Sequence, residues 1–361
     1  MNPPPLDVKQ AWASLELKHD RQLYCAQFSP DGRYVAAAGQ EGLVLLWDLE
    51  SGEKTTLGAH DTWVSALVFD PVAKRLFTAD YHGKISCWDY GEKSSENAVP
   101  LWTIPNADRD CVRALVVTPD GGQLVSAGDD ARIKVWDLAQ EGKFISALEG
   151  HRECIFCLTI SPDGAHLVSG DLLGAIRSWT IREGWKAARE FDASLLHTRK
   201  ENFLADVGGV RSLAFSPNGK ILAAGGMKEA KSNAFCPGKP TVLVFDWSSG
   251  TQKAELGITG KSDGPFNALH FLNDDILAGH TELLHTPSEL TFWKMGESGQ
   301  LHSIKNHSAY DLSLHPDGSQ LLAPCYVSGG STGNGARGHG QKDYSPNGTI
   351  LRIFSLSAKP G

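Results

Sequence analysis

The sequence predicts an all-β fold of seven four-stranded antiparallel sheets packed side by side into a closed disc. Three observations predict it. First, the stretch Cys111–His151 holds four β-type runs, Val112–Thr118, Gln123–Ala127, Arg132–Leu138 and Lys143–Leu148. Turn residues separate them at Pro119-Asp120-Gly121, Gly128-Asp129-Asp130 and Gln140-Glu141-Gly142. Second, this pattern recurs along the chain. Third, the chain starts on a strand with no sheet and ends on a sheet short of one strand. Four strands joined by tight turns form an up-and-down sheet, whose two faces must be covered before it is stable in water.

Taken in order, residues 1–11 read as a flexible tail and Trp12–Lys18 as the unattached strand. The first unit runs Leu23–Phe28, the turn Ser29-Pro30-Asp31-Gly32, Tyr34–Ala38, Leu43–Leu49 and Lys54–Leu57. The second passes from His60 through WVSALVF, RLFTAD and KISCWDY to Leu101–Ile104, and Cys111–Leu148 is the third. The fourth opens at His151 with IFCLTI, HLVSG and AIRSWTI, and closes near Lys186–Phe191. VRSLAF, ILAAGG, TVLVFDW and QKAELGI make the fifth; FNALHF, DILAG, ELTFWKM and Leu301–Ile304 the sixth; YDLSL, QLLAP and TILRIFSL the seventh. Residues 357–361 are a short tail. An aromatic marks each third strand: Trp47, Trp88, Trp136, Trp179, Phe245, Trp293 and Phe354, in steps of 41, 48, 43, 66, 48 and 61 residues. A period near forty, with a terminal Trp-Asp and an internal Ser-Pro-Asp-Gly turn, is the signature of a β-propeller.

Trp47-Asp48, Trp88-Asp89 and Trp136-Asp137, with His60 and Gly150-His151 ahead of the next strands, resemble the WD-repeat propeller family over residues 12–356. Units five to seven depart from it: Trp-Asp becomes Phe245-Asp246, Trp293-Lys294 and Phe354-Ser355. The resemblance implies that the N-terminal strand completes the last blade, so Trp12–Lys18 is expected to pair antiparallel with Leu351–Leu356. An open ring would leave two unpaired edges and an exposed apolar flank. It also implies a buried Asp–His–Ser/Thr–Trp hydrogen-bond chain. Carried over by position, blade four offers His151, Ser169 and Trp179 with Leu173 at the Asp position, and blade three offers Ser126, Asp130 and Trp136 with Asp108 at the His position. Blade two offers His60, Thr78 and Trp88 with His82 at the Asp position, and blade one only His19 and Trp47. Such Ser/His/Asp sets mimic a hydrolase triad, but they repeat with the blade period and read as structural.

Composition is ordinary for a globular protein: 361 residues, 41% hydrophobic and 21% charged. The net charge of −8 and the absence of a basic tract disfavour general nucleic-acid binding. The first residues lack a charged region and an apolar region, so no signal peptide is expected, and no apolar run approaches the length of a membrane span. Seven cysteines, mostly inside strand patterns, suggest free thiols and a cytoplasmic, reducing setting. Cys154 and Cys157 look like a CxxC but lie along one strand run, where positions three apart face opposite ways. No phosphate loop, HExxH, GxSxG or strand–GxGxxG–helix motif occurs, and no cofactor is expected.

The extra residues cluster. Met227–Pro240, His280–Ser288, Cys325–Asn347 and the link Asp192–Val207 all belong to one rim and to the late blades. Long loops cost closure entropy. These bring together Arg199, Lys200, Lys228, Lys231, Lys239, Arg337 and Lys342, with His197, His280, His285 and His339. The expectation is a locally basic rim that receives a protein or peptide, with an acidic segment as one option. Trp63, Arg113, Arg211 and Asp311 are expected near the channel mouth on the same rim. The function read from this is a non-catalytic scaffold or adaptor subunit. Two alternatives stand beside it: a propeller hydrolase or lyase using Asp311, His285 and His339 at the central opening, and nucleic-acid binding by the basic rim.

Overall fold

The computed structural model describes residues 6–91, 99–231, 238–258, 264–281, 288–306, 308–327 and 348–359. Blade 1 is Leu23–Phe28, Tyr34–Gly39, Leu43–Asp48 and Lys54–Ala59; blade 2 is Val64–Phe69, Arg75–Asp80, Ile85–Asp89 and Trp102–Ile104. Blade 3 is Val112–Val117, Gln123–Gly128, Ile133–Asp137 and Lys143–Leu148; blade 4 is Ile155–Ile160, His166–Asp171, Ala175–Thr180 and Lys186–Asp192. Blade 5 is Ser212–Phe215, Ile221–Lys228, Lys239–Asp246 and Gln252–Gly257; blade 6 is Phe266–Phe271, Ile276–Thr281, Ser288–Lys294 and His302–Asn306. Blade 7 is Ser313–Leu314, Gln320–Val327, Gly348–Ser355 and, outermost, Trp12–His19. The seven sheets stand in a ring, as the sequence predicts, with each first strand at the centre.

The third-strand aromatics that set the period are the plugs between blades. Trp88 of blade 2 packs with Ala36 and Leu46 of blade 1, and Trp136 of blade 3 with Phe77 and Cys87 of blade 2. Trp179, Phe245, Trp293 and Phe354 each enter the blade before their own in the same way. Trp47 closes the circle by packing with Leu351 and Ile353 of blade 7. Both faces of a central sheet are therefore covered, which is why second strands read as near-continuous apolar runs rather than alternating ones.

Trp12–His19 runs antiparallel to the last strand, from Trp12 opposite Ser355 to His19 opposite Thr349, with a bulge at Ser14 whose hydroxyl donates to the Ile353 carbonyl at 2.9 Å. Glu16 faces Arg352 across this pair, with Nε to Oε1 at 2.8 Å. On the inner side of the same seam, blade 7 side chains meet backbone N–H groups of blade 1. Leu23 donates to Thr349 Oγ1 at 2.9 Å, Ala26 to Asp311 Oδ2 at 3.1 Å and Phe28 to Ser313 Oγ at 3.1 Å. Residues 6–11, expected to be part of a flexible tail, pack instead. Val8–Gln10 is a 3-10 turn capped by Asp7, and Val8 is only 2% exposed in the cluster between blades 6 and 7.

Among the described residues the buried hydrogen-bond chain is complete in two blades, because the Asp sits two residues before the position expected from sequence. In blade 2, Asp80 rather than His82 accepts from His60 Nδ1 at 2.8 Å. His60 Nε2 lies 2.7 Å from Thr78 Oγ1, which accepts the Trp88 indole N–H at 2.7 Å. Blade 4 repeats this with Asp171, not Leu173: Asp171–His151 is 2.7 Å, His151–Ser169 2.7 Å and Trp179–Ser169 3.1 Å. Both carboxylates also accept backbone N–H groups of the turn that follows, from His82 and Lys84 or from Leu173 and Ala175. One Asp thus fastens a turn and orients a histidine.

Blade 3 keeps the Trp136–Ser126 bond at 2.9 Å, but Asp130 pairs with Lys134 and does not join the chain. The Asp position there is Gly128, where a Cβ would lie 2.0 Å from the Cys111 carbonyl and 2.8 Å from Asp108 Oδ2. In blade 1, His19 and Trp47 are not bonded to each other. Lys54 contacts both, with Nζ 2.8 Å from His19 Nδ1 and 5.1 Å from the Trp47 ring centroid.

Deleting residues 1–18 uncovers the outer face of blade 7 and the inter-blade cluster holding Val8. The shortened chain should aggregate, and an unchanged melting curve with normal solubility would refute this. His60→Ala strips partners from Asp80 and Thr78 in a dry site, so denaturant unfolding should show a loss of about 1–3 kcal/mol. Burial acts to raise the Asp80 pKa, but bonds from His60, Lys84 and His82 outweigh it and hold the group below its ordinary 3.8. That contribution is therefore present at neutral pH and is lost as pH falls through the depressed value. The difference between wild type and His60→Ala should shrink on acidification below pH 4.

Candidate functional site

Most first strands carry an irregularity at their rim-side end. In blades 1, 2, 3, 4 and 6 the register skips one residue against the second strand, at Tyr24, Ser65, Arg113, Phe156 and Asn267. Arg211 and Tyr310 hold the same place in blades 5 and 7. A bulged residue is released from the pleat, and these seven line the central channel, a cavity of about 580 Å³. The channel mouth is thus built from one structural position repeated seven times. Sequence reading placed Arg113 and Arg211 there and set Asp311 beside them. The structure gives that position to Tyr310. Asp311 is one residue further in, where the other blades have Cys, Ala or Ser, and it turns toward the blade 7–blade 1 seam. Its oxygens accept the Ala26 N–H and the Leu312 N–H, at 3.1 and 2.9 Å.

The mouth has two halves. One is an aromatic arc across blades 7, 1 and 2. Tyr310 meets Tyr24 edge-on at 5.7 Å, Tyr24 meets Trp63 at 5.9 Å, and Trp63 meets Tyr81 edge-on at 5.6 Å. Trp63 and Tyr81 are 42% and 39% exposed, among the most exposed aromatics of the described residues. Burial pushes the Tyr24 hydroxyl up to about 12, so it stays protonated. The other half spans blades 3 to 5. Phe156 lies between two guanidinium groups, with the Arg211 carbon 3.9 Å and the Arg113 carbon 5.3 Å from its centroid. Arg113 is paired with Asp129, Nη2 to Oδ2 at 3.2 Å, and Arg211 Nε donates to the Gly208 carbonyl at 2.8 Å. Tyr24, Phe156, Tyr81 and Tyr310 escaped sequence reading. Aligning the inner strands on their bulges, rather than on their hydrophobes, recovers three of them; Tyr81 follows the second strand of blade 2.

The blade 5 rim is more ordered than the sequence suggests. Asp192–Val207, read as an extended link, contains a 3-10 turn, Ser194–Leu196, and a hairpin of His197–Lys200 with Ala205–Gly208. The hairpin sits against Met227 and Ala230, with Val207 buried between. Two of its basic side chains are already matched. Arg199 donates to Asp206 at 2.6 Å, and His197 Nε2 lies 2.8 Å from the same carboxylate. Lys228 pairs with Glu255 and Lys239 with Glu229. Lys200 is half-buried, and Lys231 is exposed just past the strand. Three of the seven basic residues expected on this rim, Arg199, Lys228 and Lys239, therefore already have an acid beside them. His285, Arg337, His339 and Lys342 lie outside the described residues. His280 is not on a loop: it is fully buried in blade 6, Nδ1 donates to the Thr281 carbonyl at 3.0 Å, and burial lowers its pKa to about 4.

A family model described as "WD domain, G-beta repeat" matches residues 14–48, 52–89, 99–137, 142–180 and 197–228, about half of the chain. The chain belongs to the WD-repeat family. The matches end in blade 5, yet blades 6 and 7 have the same four-stranded WD-repeat architecture with Trp293 and Phe354 in the plug positions. Among similar proteins, nuclear distribution protein nudF of Emericella nidulans is 27% identical over 162 residues, 40% of this chain and 36% of the relative. Target of rapamycin complex subunit wat1 of Schizosaccharomyces pombe is 24% identical over 121 residues, 33% of this chain and 37% of the relative. The THO complex subunit 6 homolog of Danio rerio is 30% identical over 153 residues, 38% of this chain and 46% of the relative. The WD-repeat chain thus spans less than half the length of each of these relatives. No helix of the described residues is long and apolar enough to cross a membrane.

Asp311 offers a pH readout of the channel wall. Burial raises its pKa to about 6 against the bonds from Ala26 and Leu312, and burial also raises Asp108 to about 6. Both folded values exceed the ordinary 3.8, so folding takes up protons in the window from about 4 to about 6, and stability falls as pH rises through it. Carboxyl NMR should show Asp311 titrating near 6. Asp311→Ala should reduce, without abolishing, the slope of stability against pH in that window. A titration at the ordinary value overturns the assignment.

Proposed function

We propose that this chain is a non-catalytic, protein-binding scaffold or adaptor subunit, and that the face around the channel mouth is its principal contact surface. The observation that carries the reading is the arc Tyr310–Tyr24–Trp63–Tyr81. Exposed aromatic rings in contact with one another supply large contact area at small entropic cost and are the residue types that dominate interface energetics. Two of the similar proteins carry names that make them subunits of complexes, which supports the same reading. The rim of blades 5 to 7 contributes its ordered hairpin and lengthened strands as a raised edge beside this face. Asp311, the described member of the candidate catalytic set, gives both carboxylate oxygens to backbone N–H groups, which favours a binding role for the channel over a hydrolytic one. A cytoplasmic setting accords with the six free cysteines of the described residues.

The test is the double variant Trp63→Ala, Tyr81→Ala in the full chain. Both side chains are more than a third exposed, so the melting temperature should hold within a few degrees. Partners recovered with the wild-type protein by affinity capture and mass spectrometry should weaken by about tenfold or more. An identical partner set at equal recovery defeats the assignment of this face. Charge reversal of Arg199 or Lys239, each already ion-paired on its own rim, should matter less than the aromatic change.

A further inference from the structure

The outer side of the disc holds a groove of about 630 Å³ between blades 5 and 6, toward the rim opposite the aromatic arc. Its walls are largely apolar: Ile221, Val244, Leu256, Trp293 and Met295. One blade further round, the same positions in the paired strands are Ile276, Phe292, Ile304, Phe354 and Leu356. There the cleft is filled by the chain's own residues 6–11. Val8 inserts between the blades at 2% exposure, the Asp7 N–H donates to the Leu356 carbonyl at 2.8 Å, and the Asp7 carboxylate accepts the Lys9 N–H at 3.1 Å. The molecule therefore displays, on itself, the kind of ligand this cleft geometry accepts: one tight turn, one branched aliphatic side chain, and a preceding Asp that caps it.

We propose that the groove between blades 5 and 6 is a second docking site, for a short linear segment of a partner protein. That segment enters as residues 6–11 enter the neighbouring cleft, placing one Val, Ile or Leu against Leu256 and Trp293 and an acidic residue beside it. Of the charged side chains in the groove wall, Lys294 is held by Glu297 at 2.7 Å and Glu255 by Lys228. Lys253 is exposed and shares the wall with Asp246, whose Oδ1 is already engaged by Ser248 and Ser249, so Lys253 is the cation placed to meet an incoming acid. The Met295 carbonyl occupies the place of the Leu356 carbonyl that receives the Asp7 N–H, since Met295 and Leu356 make the same backbone bond, to Asp275 and Ser319. This site is separate from the channel mouth and does not rest on that reading.

The probe is an acetylated, amidated peptide with the sequence of residues 6–11, Leu-Asp-Val-Lys-Gln-Ala, carrying a photo-crosslinker at its C-terminal end and added to the full-length protein. Saturable binding is expected, with crosslinks falling on residues 253–257 and 293–297. Replacing the peptide's Val by Asp should weaken binding by about tenfold or more. Ala254→Arg, which fills the groove from a half-buried position, should do the same at an unchanged melting temperature, and Lys253→Glu should weaken it severalfold. Crosslinks on Ile304 or Leu356 would mean simple exchange with the resident segment and would overturn the proposal. So would crosslinks at the channel mouth, no saturation at millimolar peptide, or indifference to Ala254→Arg. A concentration-dependent dimer whose formation is blocked by Ala254→Arg would overturn the choice of a partner protein in favour of a second copy. Trp63→Ala, Tyr81→Ala should leave the peptide's affinity unchanged, so the two sites fail or stand separately.

Discussion

No blade in this protein can bury its own surface, and that constraint shapes everything else. A four-stranded sheet has two apolar faces and no interior. Each face becomes core only when the next sheet presses against it, and the third-strand aromatic of each blade is the group that presses. Trp88 completes the core between blades 1 and 2, and Trp47 does so between blades 7 and 1. Because every inter-blade core needs two blades, the arrangement has no stable partial form with both ends covered. Closure by Trp12–His19 is therefore a condition of the fold. The polar bonds at that seam, from Leu23, Ala26 and Phe28 to blade 7 side chains, settle an edge that would otherwise leave strand N–H groups unpaired.

That constraint also decides what could be read from the chain. Period, blade count and closing strand were legible because burial on both faces imposes apolar runs and because the plugs recur at a fixed place. The hydrogen-bond chains were legible only in part. His60, Thr78 and Trp88 sit where expected, but Asp80 was missed because the second strand ends two residues earlier than the offset used. A carboxylate at a strand end has two duties, capping a turn and holding a histidine, and only coordinates show both. The charged rim was legible in part for a different reason. Arg199, Lys228 and Lys239 look like a basic cluster when counted along the chain, yet each has an acid within reach across the hairpin or between strands. Pairing across strands depends on register, and register in lengthened strands is poorly marked by pattern alone.

The channel mouth follows from the same geometry. Inner strands converge at the axis, and their rim-side ends are the least constrained part of each sheet. A bulge there, present in blades 1, 2, 3, 4 and 6, frees a side chain without disturbing the plug beneath it. The chain uses that position for residues as different as Tyr24, Ser65, Arg113 and Phe156, while the next position inward stays small, as Cys25, Ala66, Ala114 and Cys157. Variety is tolerated where packing makes no demand, so specificity can be written at the bulge while the fold is written one residue below. Asp311 is the departure: a carboxylate in a small-residue position, tolerated because two backbone N–H groups at the closing seam need an acceptor.

The late blades show how the load shifts when the buried chains are absent. Blades 2 and 4 hold Asp–His–Ser/Thr–Trp sets, whereas in blade 6 Gly279 replaces the hydroxyl residue and the Trp293 indole donates to the Gly257 carbonyl of blade 5 at 3.2 Å. A bond inside one sheet becomes a bond between sheets. Blade 6 then depends on its neighbours for stiffness, and on one side that neighbour is supplemented by residues 6–11, which insert Val8 into the cleft. On the other side no described segment enters the matching cleft beside Trp293. Two clefts built from corresponding positions, one filled by residues 6–11 and one entered by no described segment, make filling a separable choice from folding, because the ring closes through strand pairing. What occupies the second cleft is therefore free to come from another molecule without any change in the architecture that forms it.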